Sequence, residues 1–242
     1  MKKTAFIVYL VLIHFILIAI ILKPERVHTA TYKLGIYPKP LHYDKLLARH
    51  LIQDIRIKQG DILLLGDSIM EKSHLEHQIP NSWNLGISKD WTQGLAQRMP
   101  LYRSLSKAGL FMVHIGINDV SLRKKSALES FAHYQDMLTH LPKDIPVILN
   151  SVLPLGSGKE KSQADNEKIA QFNQLIKQYA DSHEGFVYLD ISSQMQNEQG
   201  GLKSEYHIYD YIHLNPAGYK VFNQIITTFL ASYPTRKLYS PN

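Results

Sequence analysis

The sequence predicts an α/β protein: a doubly wound, flavodoxin-like parallel sheet of about five strands with helices on both faces, preceded by one N-terminal transmembrane helix. Two observations carry this. Five short apolar runs alternate with helical stretches, the pattern of a parallel sheet covered on both faces. Ahead of them, residues 5–22 read AFIVYLVLIHFILIAIIL, apolar or aromatic except for His14.

At about 1.5 Å rise per residue, the run 5–22 is just long enough to cross the hydrocarbon core. Lys2 and Lys3 precede it and Lys23-Pro24 stops it. A cleavable signal peptide would have an apolar core of only about 7–15 residues. The best cleavage candidate, after Ala30, has His28 at the −3 position, where a small residue is wanted. An uncleaved anchor is therefore the reading preferred over a signal peptide or a buried core helix, with His14 as a tolerated neutral residue. Lys2, Lys3 and the amino terminus favour a cytoplasmic start, although Lys23, Arg26, Lys33 and Lys39 lie on the other side. Long translocated domains often escape the Lys/Arg rule. The expectation is a single-pass membrane protein with its soluble domain outside the cytoplasm, periplasmic if the cell is Gram-negative.

The organisation expected is an anchor over 1–30, a linker over 31–42 with Pro38 and Pro40, and one domain over 43–242. A helix over 43–58 carries Leu46, Leu47, Leu51, Ile52 and Ile55 as an amphipathic face. The strands are 61–66, 82–87, 110–116, 146–152 and 185–191, with helices at about 91–107, 126–141 and 163–183 between them. In the last of these, Ile169, Phe172, Leu175, Ile176 and Tyr179 form one stripe. A final helix starts at Asn215-Pro216, a capping residue followed by proline in the first turn, and buries Val221, Phe222, Ile225, Ile226, Phe229 and Leu230.

Composition narrows the function. The 242 residues are 45% apolar and 20% charged, which excludes a disordered chain. The net charge is +6, but residues 1–30 hold four bases and one acid, leaving 23 bases against 20 acids. That is too small and too scattered an excess for nucleic acid. Cysteine is absent, which removes disulfides, thiolate nucleophiles and Cys-ligated metals.

Three strand ends carry polar residues that packing alone does not need: Gly66-Asp67-Ser68-Ile69, Asn84-Leu85-Gly86 and Gly116-Ile117-Asn118-Asp119. A doubly wound sheet brings these ends to one edge. Asp210-Tyr211-Ile212-His213 precedes the last helix, whose start can reach the same edge. Together they supply the parts for acyl transfer: a serine nucleophile, a histidine base, a carboxylate to orient it and donors for an oxyanion.

These blocks resemble those of the SGNH hydrolases, also called GDSL esterases and lipases. Gly66-Asp67-Ser68-Ile69 is similar to the first block with Ile for Leu, Asn84-Leu85-Gly86-Ile87-Ser88 to the second, Gly116-Ile117-Asn118-Asp119 to the third and Asp210-Tyr211-Ile212-His213 to the fifth. The similarity covers about residues 60–232. It implies Ser68 as nucleophile, His213 as base and Asp210 as its partner. It further implies an oxyanion hole made by the backbone N–H groups of Ser68 and Gly86 and the side-chain amide of Asn118. The physical reading agrees: Ser68 opens a helix with its N–H free, Gly86 has no side chain in the way, and Asn118 donates at any pH.

Several features are set aside. Gly158-Lys159 fails as a phosphate loop, because Leu153 replaces the first Gly and Glu160 the Ser/Thr. His74 and His77 could ligate a metal at their i, i+3 spacing, but with no third ligand in view they read as solvated. His114 reads as a satisfied core histidine, and Tyr206, Tyr209 and Tyr211 as cleft lining or loop packing. There is no G-x-S-x-G elbow. The expectation is a membrane-anchored serine esterase that needs no cofactor and no metal and acts on a small-molecule, lipid or saccharide ester. An acyltransferase using the same residues and a non-catalytic anchored binding module are the alternatives.

Overall fold

The computed structural model describes residues 8–15, 17, 18, 41–158 and 162–233. The chain divides into two compact units, 1–48 and 49–242. In the first, residues 8–15, 17 and 18 are helical. The remainder of the expected anchor and most of the linker lie outside the described residues. Among the described residues, no helix is long and apolar enough to cross a membrane.

Helix α1, Leu41–Asp54, begins in the first unit and ends in the second. The sequence pattern predicted an apolar inner face here, and the structure reverses part of it. Leu51, Ile52 and Ile55 are exposed, while His50 and Asp54 are buried. The polar pair earns its place inside through partners: the Asp54 carboxylate accepts from the N–H groups of Arg103 and Ser104 and from Ser104 Oγ. Such hydrogen bonds, one partner of each being charged, offset the cost of burying a carboxylate.

The second unit holds a sheet of five parallel strands in the order β2-β1-β3-β4-β5, the flavodoxin-like order. The strands are β1 Ile62–Gly66, β2 Ser82–Gly86, β3 Leu110–His114, β4 Val147–Asn150 and β5 Phe186–Leu189. Every residue of β3 and β4 is buried, whereas β2 and β5 are half-buried, as central and edge strands should be. The helices that follow are α2 Ser68–Glu71, α3 Thr92–Arg98, α4 Ile117–Ser121, α5 Ala127–Thr139, α6 Ser162–Ser182, α7 Ser192–Met195 and α8 Pro216–Ser232.

Helices α3, α5 and α6 pack in series. Phe222 of α8 meets the His114 ring edge-on at 5.1 Å, and Asn223 Nδ2 donates to Ser73 O beyond α2 at 2.7 Å. Along α6 the expected stripe is present, with Ile169, Phe172 and Ile176 fully buried. Helix α8 opens as its sequence predicts, Asn215 Oδ1 accepting from Gly218 N–H with Pro216 in the first turn.

The stretch 91–107 is not one helix. It stops at Arg98 and continues as two 3-10 turns, Met99–Leu101 and Leu105–Lys107. Pro100 lacks an N–H and restricts the residue before it, which ends the α-helical ladder. His114 is buried as expected but is not satisfied: neither ring nitrogen has a hydrogen-bond partner. Burial lowers its pKa to about 3, so the ring is neutral.

Candidate active site

Strand order reverses between β1 and β3, and the site forms where these strands end. Ser68 is the first residue of α2, directly after β1 and the Asp67 cap. The Asp67 carboxylate accepts from Ile69 N–H at 2.9 Å, which fixes the turn that presents Ser68. Ser68 Oγ lies 2.9 Å from Nε2 of His213. Nδ1 of His213 lies 2.5 Å from Oδ2 of Asp210.

The loop before α8 is wound to make that second contact. Asp210 Oδ1 accepts the N–H groups of Ile212 and His213 at 3.0 and 2.9 Å, and Tyr211 takes a left-handed φ of 63°. Partial burial pushes the Asp210 carboxyl up. The bonds from the His213 ring and from the His213 and Ile212 N–H groups outweigh that, and its pKa falls below the usual value. It is therefore an anion at neutral pH, able to orient the imidazole and to stabilise its cation.

Asn118 lies on α4 rather than on the end of β3. Gly116, at a φ of 133°, turns the chain from strand into helix there, and Phe172 packs where its Cβ would stand. Asn118 Nδ2 donates to Asp90 O at 2.8 Å, leaving its second hydrogen for another acceptor. Asp119 points elsewhere, into the interior, where its carboxylate accepts from Thr92 N–H at 3.1 Å and Thr92 Oγ1 at 2.6 Å. Burial raises its pKa to about 6.

Gly86 closes β2. Its N–H donates to Asn84 Oδ1 at 3.0 Å, and an added Cβ would stand 2.5 Å from Glu71 N of α2. Its lack of a side chain thus serves the packing of α2 against β2.

Behind these residues lies a buried ionic cluster that sequence reasoning missed. Arg98, 1% exposed, donates from Nε to Asp90 Oδ2 at 2.7 Å and from Nη2 to Gly66 O at 3.3 Å. One guanidinium therefore ties the end of β1 to the loop whose carbonyl holds Asn118. Its Nη1 donates to Tyr102 O–H at 2.7 Å. No signal in the sequence marks this arginine as buried. Asp67 is wholly buried, and burial together with the charges of Asp90 and Asp119 raises its pKa to about 8. Tyr206 and Tyr211 are half-buried and Tyr209 is 89% exposed. Gly158, in the rejected phosphate-loop segment, takes a φ of 112°.

A serine hydroxyl, an imidazole and a carboxylate thus stand in hydrogen-bonded sequence at the carboxyl edge of a doubly wound α/β sheet, an arrangement chemically able to carry out acyl transfer. Residues 64–221 match the model of the GDSL-like Lipase/Acylhydrolase family, and the chain belongs to it. It is accordingly an enzyme of the ester-hydrolysing kind. A Streptococcus pneumonia protein named for platelet activating factor has a similar structure, 24% identical over 78% of this chain and 92% of that one, with a TM-score of 0.69. A GDSL-like lipase from Bacteroides thetaiotaomicron is 20% identical over 76% and 97%, with a TM-score of 0.64. The catalytic domain of peptidoglycan O-acetyltransferase A from Streptococcus pneumoniae is 17% identical over 73% and 94%, with a TM-score of 0.56. At these identities the likeness is one of fold. Among curated proteins no match is found.

Proposed function

We propose that the chain is a serine esterase that hydrolyses small-molecule, lipid or saccharide acyl esters, with Ser68, His213 and Asp210 as its catalytic residues. The observation that carries the reading is the unbroken run Asp210 Oδ2, His213 Nδ1, His213 Nε2, Ser68 Oγ, with contacts of 2.5 and 2.9 Å. In this scheme Ser68 Oγ attacks the ester carbonyl as His213 Nε2 takes its proton. The imidazolium then gives that proton to the departing alkoxide, leaving an acyl-enzyme. Water, deprotonated by His213, attacks the acyl carbon and releases the acid with Ser68 restored.

The negative oxygen of each tetrahedral intermediate is received by Ser68 N–H and by the uncommitted amide hydrogen of Asn118. For Gly86 N–H to join them, it exchanges its bond to Asn84 Oδ1 for the substrate oxygen. No step calls on a cofactor.

A fluorophosphonate probe tests the nucleophile. The full-length chain should be labelled, and Ser68→Ala should lose both labelling and ester hydrolysis while its thermal transition is retained. Labelling that persists in Ser68→Ala would place the nucleophile elsewhere; an unlabelled parent chain would favour a binding module.

A second reading is acyl transfer, in which a sugar hydroxyl replaces water. The fold it shares with a peptidoglycan O-acetyltransferase domain favours including it. Added saccharide acceptors that turn over the acyl-enzyme faster than water does would establish it. We further propose that residues 5–22 tether the enzyme to a membrane with the catalytic domain outside the cytoplasm.

A further inference from the structure

His74, Glu76 and His77 stand on the turn after α2, where Leu75–His77 form a single 3-10 turn. His74 takes a left-handed backbone, φ 52°, which folds its ring back beside that of His77. The two imidazoles stack with centroids 6.1 Å apart and 24° between their planes. Oε1 of Glu76 lies 3.8 Å from Nδ1 of His74 and 3.8 Å from Nε2 of His77. Both distances exceed hydrogen-bond length. The other carboxylate oxygen, Oε2, accepts from Asn84 Nδ2 at 3.0 Å. That amide is itself anchored, donating to Met70 O at 2.8 Å and accepting Gly86 N–H. Glu76 thus has one oxygen held from behind and the other turned toward two imidazoles.

We propose that His74, Glu76 and His77 form a surface site for a divalent cation of the zinc type, separate from the catalytic residues. One ligand atom from each residue lies within 4.8 Å of the other two. A cation at the centre of three atoms so spaced is within about 2.8 Å of each, against about 2.0–2.2 Å for Zn–N and Zn–O bonds. The remaining closure is a matter of side-chain rotation, and the two histidine side chains are 69% and 76% exposed and have room for it.

Two imidazoles with one carboxylate suit Zn²⁺, Ni²⁺ or Cu²⁺ and not the hard, oxygen-seeking Mg²⁺ or Ca²⁺. Water completes the coordination. The Asn84 bond to Glu76 is the outer contact that orients a ligating carboxylate. Sequence spacing showed the two histidines. Only the structure shows that Glu76, one of the two residues between them, faces the same point.

The test uses the full-length chain purified without a histidine tag and stripped with a chelator. Zn²⁺ titration by calorimetry should show one equivalent bound, and Co²⁺ should give the visible bands of a nitrogen- and oxygen-ligated ion. His77→Ala and His74→Asn, the latter chosen because Asn tolerates a left-handed backbone, should each weaken Zn²⁺ binding at least about tenfold. Both should keep the parent's thermal transition and its ester hydrolysis in chelator. No binding to the parent chain, or the same affinity in both variants, would overturn the site. The second result would assign the ion to other histidines.

Discussion

Asn118 gives one amide hydrogen to Asp90 O, and in the proposed mechanism its second meets an oxygen that becomes negative only as the substrate reacts. A donor of that kind acts on the transition state more than on the bound ester. Asn118→Ala should lower kcat by about 10²–10³ with a smaller change in KM, measured on an aryl ester. An unchanged kcat would remove it from the oxyanion hole. The two aspartates beside the site separate in the same way. Asp210 touches the imidazole, while Asp119 is committed to Thr92. Asp210→Asn should therefore reduce kcat/KM at least about tenfold more than Asp119→Asn, a gap of about 1.4 kcal/mol. Equal losses in two folded variants would leave Asp210 without its role. Ser68 and His213 drew notice in the sequence because one opens a helix after a strand and the other stands just before the last helix, and Asp210 because it lies three residues ahead of His213. Arg98 did not, because a helical arginine gives no sign of being swallowed whole until Asp90 and Gly66 O are seen around it.

Element by element, the sequence was clearest where burial is all or nothing. Strands β3 and β4 are wholly buried and read as apolar runs up to their last residues, His114 and Asn150, and α8 announced its start with Asn215-Pro216. It was least clear in α1, where Asp54 and His50 displaced isoleucines from the interior, and in α4, too short to show a helical period. The one-turn helix α2 has a cost built into its cap. Asp67 must be buried to hold Ile69 N–H, and burial raises its pKa to about 8. Because the folded pKa lies above the unfolded value, the folded state loses stability as pH rises from about 4 through about 8. Asparagine caps equally well without a charge. Asp67→Asn should therefore gain in Tm relative to the parent as pH goes from 5 to 8, followed by thermal melts across that range. Parallel curves for the two chains would show that Asp67 is not the group responsible.

Across the whole molecule, the proposed arrangement places an apolar run of 18 residues, 5–22, ahead of the catalytic domain. A C-terminal alkaline phosphatase fusion in a bacterial host should be active and remain with the membranes. An inactive fusion whose cytoplasmic reporter counterpart works would reverse the orientation, and activity in the soluble fraction would mean that the segment is cleaved. A flavodoxin-like layout was legible from five apolar runs alternating with helices, while the strand order and its reversal at β1 come from the structure, and the reversal has a consequence in time as well as in space. The Ser68–His213 contact joins residues 145 apart in sequence. Closing so long a loop is entropically unfavourable, and only the assembled sheet and a docked α8 compensate for it. During synthesis Ser68, the proposed nucleophile, emerges from the ribosome long before His213, its proposed base. On that assignment the growing chain is hydrolytically silent, and its chemistry switches on only at the end of folding.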